Sequence, residues 1–211
     1  MASSTYGLAE LARAAEVSPT TVKYYLREGL LPAGRLRSAT RADYDEHHLR
    51  RLRLLRVLRE VGGVPVERLR ALVEVLDAGG DTLAMLGAGA EALLPPGARA
   101  DDAAAGLCEE VLQAQGWQVA PDSRLGLALR ESLSAVLATA SAGPGEVREQ
   151  VLRYARTADR VGAEDVATLD ADDPADLLAQ MVVGQVVYGR LLEVMRRVAE
   201  AHHAGRRWGR P

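Results

Sequence analysis

Between Val17 and Leu55 the chain gathers Lys23, Arg27, Arg35, Arg37, Arg41, Arg50, Arg51 and Arg53, and Lys23 is its only lysine in 211 residues. Tyr24, Tyr25 and Tyr44 are interleaved with these cations, and Ser18, Thr20 and Thr21 precede them. Permanent cations and hydroxyl donors suit the oxygens of a polyanion, while short side chains can approach base edges. Lys23 and Arg27, at i and i+4, share a face if the segment is helical. Arg35 and Arg37 alternate as on an extended ribbon, from which they can reach a neighbouring backbone or a minor groove. Of Tyr24 and Tyr25, one ring is expected to pack in a small core and the other to donate its hydroxyl to phosphate. Arg50, Arg51, Arg53, Arg56 and Arg59 read as a solvated helix face that tunes affinity without direct contact.

The elements that must hold these residues follow from local signals. Leu8, Leu11, Ala12 and Ala15 recur at helical spacing and give a short helix, with Val17 in the turn after it. Ser18 is an N-cap, Pro19 fits the first helical position, and a helix over Thr20–Glu28 ends at Gly29. Two short helices across a tight turn make a helix-turn-helix. Leu30, Leu31 and Pro32 open an extended stretch with a tight turn at Gly34, which reads as a wing. Asp45 caps a helix over Glu46–Val61, with Leu49, Leu52, Leu55 and Leu58 inward and Gly62-Gly63 as its stop. Pro65 starts another, striped by Val66, Leu69, Leu72, Val73 and Leu76.

Beyond this head the charge reverses. Residues 1–76 hold 13 Lys+Arg against 9 Asp+Glu, and the rest hold 13 against 20, so a net charge of −3 conceals a basic head on an acidic body. Gly79-Gly80 marks a hinge. Leu83, Leu86, Ala90 and Leu93 then recur as in a coiled-coil dimer seam, broken by Pro95-Pro96-Gly97. Helices are expected over Asp102–Gln115, Ser123–Ala140, Glu146–Thr168 and Pro174–His203. The last is apolar on most sides, with Arg190, Glu193, Arg197 and Glu200 as its polar face, and is expected to be the buried centre of a bundle in which Gly184 and Gly189 permit close helix approach. At 48% hydrophobic residues the chain can bury a core. MASSTYGLAE has neither a basic nor an apolar leader segment, and the run Met181–Tyr188 is short for a membrane span, so a cytoplasmic protein with no membrane partner is expected.

The block Tyr6–Leu76 resembles the DNA-binding domain of the MerR family of transcription regulators. The resemblance is carried by YGLAELARAAEVSPTTVKYYLREGLLPAGR, by Tyr44 and by HLRRLRLLRVLREVGGVPVERLRALVEVL, and covers about a third of the chain. One departure is that the arginine usual two residues before the wing tyrosine is Ala42 here, with Arg41 one residue earlier. The resemblance implies a homodimer on a pseudo-palindromic promoter operator in double-stranded DNA, distorting an overlong spacer so that RNA polymerase engages when an effector arrives. The expected fold is mainly α: a winged helix-turn-helix domain over 1–76, a linker and dimerisation helix over 77–97, an all-helical effector domain over 98–204 and a tail over 205–211. Its DNA-contacting set is Ser18, Thr20, Thr21, Lys23, Tyr24, Tyr25, Arg27, Arg35, Arg37, Arg41 and Tyr44.

Other chemistries find little support. Cys108 is the single cysteine, and the adjacent pairs His47-His48 and His202-His203 point about 100° apart on helices, which is awkward for joint ligation. Asp170, Asp172, Asp173 and Asp176 are spaced partly as in a calcium loop, but Ala175 stands where glycine is required and Met181 where the closing acid belongs. Asp173 before Pro174 is better read as an N-cap. No metal or cofactor is expected. Without a phosphate loop, nucleophile elbow or metalloprotease motif, no catalysis is expected either. Trp117, Tyr154, Met181, Gln185, Tyr188 and Met195 combine apolar bulk with hydrogen-bonding tips and are the candidate lining of a pocket for a small organic effector. A drug-sequestering protein or an effector-independent DNA-architectural protein are the alternative readings.

Overall fold

The computed structural model describes residues 5–38, 41–94 and 102–209. The fold is mainly α, and the chain divides into two compact units, Met1–Gly79 with Leu178–Pro211, and Gly80–Leu177. The chain passes from one unit to the other at Gly79 and Gly80, with φ of 62° and 129°, a conformation that glycine adopts without steric cost.

In the first unit, α1 (Leu8–Ala14) and α2 (Pro19–Arg27) form the helix-turn-helix, and Leu11, Ala12, Ala15, Val22 and Tyr25 are buried. The wing pairs β1 (Arg35–Ser38) antiparallel with β2 (Arg41–Asp43), with an irregular register between Leu36 and Ser38. Tyr6 pairs with Tyr44 through reciprocal backbone hydrogen bonds of 2.8 and 2.9 Å, tying the segment before α1 to the wing's base. Gly34 is needed for close approach rather than for a left-handed turn. A Cβ there would lie 2.8 Å from both the Asp43 carbonyl oxygen and the Tyr44 ring.

Asp45 caps α3 (Glu46–Arg56), accepting from the His48 backbone N–H at 3.1 Å. The expected helix over Glu46–Val61 is present, but its last turn, Val57–Val61, is π-helical. Leu49, Leu52, Leu55 and Leu58 are all buried, as the periodicity requires, and so are Leu69, Leu72 and Val73 of α4 (Val66–Ala78). The expected solvated arginine face is present in part: Arg50 and Arg53 of α3 and Arg59 of the π-helical turn are exposed, but Arg51 and Arg56 are not, and Arg51, Arg53, Arg56 and Arg59 make contacts within the domain. Arg51 is buried and pairs in bidentate fashion with Asp77 of α4, and Arg56 meets Glu16 at 2.8 Å. Arg53 donates to the Ala14 carbonyl and Arg59 to that of Val64, each at 3.2 Å. Guanidinium groups reach backbone and carboxylate acceptors across a thin domain, so the arginines fasten its helices together.

The second unit comprises α5 (Thr82–Ala92), a 3₁₀ turn at Asp102–Ala104, α6 (Ala105–Gln115), α7 (Arg124–Thr139), α8 (Pro144–Ala167) and the first residues of α9 (Pro174–Trp208). These bounds lie within a few residues of those expected, and three of the starts carry a side-chain cap: Asp81 accepts from the Leu83 N–H at 3.0 Å, Ser123 from the Gly126 N–H at 3.2 Å, and Asp173 from the Ala175 N–H at 2.7 Å. The Pro95-Pro96-Gly97 break lies outside the described residues. The core of this unit is Ala104, Cys108, Leu112 and Leu133, with Leu107, Trp117, Leu129 and Val151 packed against it.

The last helix departs most from expectation. α9 is not a buried central rod: among its described residues Leu178 and Val182 are buried, and Arg190–Glu200 is exposed throughout. Gly184 and Gly189 do not mediate close packing, since a Cβ at either would meet no atom within 4 Å. The helix also contains a stretch of mean hydropathy 1.3, long and apolar enough by composition to cross a membrane, in place of the short run expected.

Candidate nucleic-acid interface

Helix α2 separates its faces cleanly. Val22 and Tyr25 are buried while Thr20, Lys23 and Arg27, at i, i+3 and i+7, are exposed together on the other side. Ser18 spends its oxygen on the cap, accepting from the Thr21 N–H at 3.0 Å, and its hydroxyl lies 2.8 Å from that of Thr21. With Pro19 lacking an N–H and the Thr21 N–H satisfied by the cap, the donors on the outward side of α2 are the side chains of Thr20, Lys23 and Arg27.

On the wing, Arg35, Leu36, Arg37 and Arg41 are all exposed. Arg37 lies 4.0 Å from Asp43, too weak and solvent-screened a pair to immobilise it. Between α1 and the wing runs an open groove of about 830 Å³, lined by Arg13, Arg37 and Arg41 together with Glu10 and Asp43. Two features of this surface were missed from the sequence. Arg13 shares α1 with the buried Leu11 and Ala12, and its exposure could have been read from that periodicity. Leu36, 78% exposed between two wing arginines, breaks the rule that an apolar residue in a ribbon faces cover.

Two tyrosines of the expected contact set are packing residues. Tyr25 and Tyr44 are 3% and 5% exposed, and burial raises both phenol pKa values above their ordinary range, keeping them neutral. Tyr44 stacks edge-on against His48 at 5.2 Å between ring centroids. Tyr24, half-buried with its ring 5.8 Å from that of Tyr25, keeps an accessible edge. His48 is buried and hydrogen-bonded through Nδ1 to Asp45 at 2.7 Å, and that bond is the largest of the effects that hold the Asp45 carboxyl below its usual pKa.

Residues 6–76 match the family model described as MerR HTH family regulatory protein. The chain is also similar, at 31% identity over 97% of its length and 98% of the other's, with a TM-score of 0.69, to a crystal structure described as that of the "putative transcriptional regulator" SCO5550 from Streptomyces coelicolor A3(2). This chain belongs to the MerR family. As a MerR-family protein it is a DNA-binding transcription regulator, and α1 with α2 is the helix-turn-helix of that family. No curated protein matches the chain.

Outside its head, this MerR-family chain has a cavity of about 610 Å³ in the second unit, framed by α6, α7 and α8. Trp117 and Tyr154 both line it, as do Leu129, Val136, Val147 and Val151. Met181, Gln185, Tyr188 and Met195 lie on the part of α9 that belongs to the first unit, so the expected ligand set is split. Of the expected dimer seam on α5, Leu83 is 80% exposed, whereas Leu86, Ala90 and Leu93 are half-buried. Among the described residues no group of three or more His, Cys, Asp or Glu side chains is placed to hold a metal ion.

Proposed function

We propose that the protein is a homodimeric promoter-binding regulator. In this reading Thr20, Lys23 and Arg27 of α2 enter the major groove, Arg35, Arg37 and Arg41 clamp flanking phosphates, and RNA polymerase reads the resulting distortion of the promoter. The observation that carries the reading is that Lys23 and Arg27 on the outward side of α2 and Arg35, Arg37 and Arg41 on the wing are all exposed, while Val22 and Tyr25 hold α2 in the core, so one small domain presents five cations on these two elements. The proposed organisation is a DNA-binding domain over 1–76, a connecting segment with α5 over 77–97, a helical effector domain beginning at 98 and a tail over 205–211, with the part of α9 from Leu178 onward belonging to the compact unit of the DNA-binding head rather than to that of the other effector-domain helices. It rests on the change in charge sign and on the chain's passage between compact units at Gly79–Gly80.

The effector in this proposal is a neutral, apolar or amphipathic organic molecule. The α6–α7–α8 cavity has a volume within the usual range for small-molecule sites, and no charged side chain lines it; Ser132, Thr139, Ser141, Gln150 and Tyr154 supply the polar tips. Trp117 donates from Nε1 to Asp159 at 2.8 Å, which fixes its ring at the cavity. To regulate, the molecule must bind one arrangement of the protein more tightly than another. The test is a thermal-stabilisation screen of neutral organic compounds, followed by promoter binding with and without a hit. The hit should alter Trp117 emission, remain silent toward Trp208, and change promoter affinity. Binding without any change in promoter affinity would make the protein a sequestering module, and a broad screen with no hit would make it effector-independent.

A further inference from the structure

Helix α9 exposes a seam. Gly184, Tyr188, Leu191, Met195, Val198 and His202 follow one another at spacings of four, three, four, three and four, the core positions of a heptad. The flanking positions on the same side are Gln185, Val187, Leu192, Val194, Ala199 and Ala201, so no charge borders the seam from 184 to 202. The charged residues occupy the remaining positions of the heptad, where Arg196 reaches Glu200 at 2.9 Å and Arg197 pairs with Glu193 along the helix. A solvated helix would not sort its residues this way.

The side of α9 away from the seam is occupied. A Cβ on Gly62 would overlap Val186, and Arg190 donates to the Val61 carbonyl, so the helix is fastened to the DNA-binding head at the end of α3's π-helical turn. Tyr188, Leu191, Leu192, Val194, Met195 and Val198 are each between 44% and 64% exposed. Together they offer roughly 600 Å², close to the ~800 Å² that each partner gives to a stable interface and at the upper limit of what a monomer leaves exposed in one patch.

We infer that the α9 seam is the dimer interface of this protein, its occupant the same seam of a second copy related by a twofold axis. The inference rests on the homodimeric reading above and moves the contact from α5 to α9. Self-association suits the surface because it buries no charge on either side, and a wide apolar seam with uncharged flanks favours a like surface over a charged partner. Since α9 is attached to the head, pairing two α9 helices would also fix the separation of the two α2 recognition helices, the quantity that matches half-site spacing on DNA.

The test is sedimentation velocity on the full chain at micromolar concentration. Wild type and Leu83→Glu are expected to be dimeric, and Met195→Glu and Val198→Glu to raise the dimer dissociation constant by about 30-fold or more, as loss of a central interface anchor does. Helical circular dichroism should be unchanged, because both positions are exposed in the protomer. If either glutamate variant fails to fold, a Met195→Cys chain treated with a short bis-maleimide keeps the inference testable: it should cross-link between protomers, the other thiol, Cys108, being buried. A wild-type dimer that persists in both glutamate variants, or that Leu83→Glu dissociates, overturns the α9 seam and leaves the dimeric regulator standing. A monomeric wild type overturns both. If that monomer floats with phosphatidylglycerol vesicles, the face is a membrane surface instead.

Discussion

Replacing Lys23 by alanine removes one exposed cation from the outward side of α2 and, because Val22 and Tyr25 carry the packing, leaves the helix seated. A lysine that neutralises a phosphate contributes about 0.9 to the slope of log affinity against log salt. In a symmetric dimer the change occurs twice, so the slope should fall by about 1.8. Raising salt fourfold, from about 50 to about 200 mM, should then shrink the affinity advantage of wild type over Lys23→Ala by about 12-fold. Arg35→Ala on the wing should behave alike. Because phosphate contacts carry no sequence information, the loss should appear on promoter and random duplexes equally. Fluorescence anisotropy titrations of a labelled duplex at several salt concentrations measure this, with Arg160→Ala, an exposed α8 residue 4.0 Å from Glu164, as the control that should leave the slope unchanged. If Lys23→Ala and Arg35→Ala both retain wild-type affinity and slope, the assignment of α2 and the wing as the phosphate-contacting surface is wrong.

Asp77→Ala should cost about 3 kcal/mol in urea unfolding, because it leaves the buried Arg51 guanidinium without its carboxylate; a loss below about 1 kcal/mol would mean that water replaces the partner. Gly34→Ala should lower stability by about 1–3 kcal/mol through the clash with Asp43 and Tyr44, and should weaken DNA binding by displacing the wing, read by thermal unfolding and anisotropy together. Asp45→Ala should cost about 1 kcal/mol by removing the α3 cap. Since the folded Asp45 carboxyl is held below its ordinary pKa, its contribution is present above the unfolded value, near 4, and lost as pH falls through the lowered folded one; an acid-unfolding curve unaltered by Asp45→Ala would contradict this.

The helix-turn-helix was legible because its signals are local. Ser18-Pro19 starts α2, Gly29 follows its end, and the leucines of α3 show their inward side at any distance from the rest of the fold. What the sequence concealed was the partner of each side chain. Arg51 looks the same in the sequence whether it faces water or Asp77, and Tyr44 offers the same hydroxyl whether its ring lies in the core or against phosphate. Trp117 and Tyr154 could be grouped correctly by type, but type alone could not separate them from Tyr188 and Met195, which lie on the other compact unit. α9 is the sharpest case. Apolar periodicity identifies the side of a helix that shuns water, yet a buried rod and an interface share that pattern, and only its exposure distinguishes them.

The most direct measurement of the central claim is a hydroxyl-radical footprint of the full-length protein on the promoter fragments it selects from a genomic pool. The account predicts two protected half-sites related by a twofold axis, with altered backbone reactivity between them from distortion of the spacer, and loss of both protected segments when Lys23 and Arg35 are replaced together. A footprint without symmetry, or one that survives the double replacement, would contradict it.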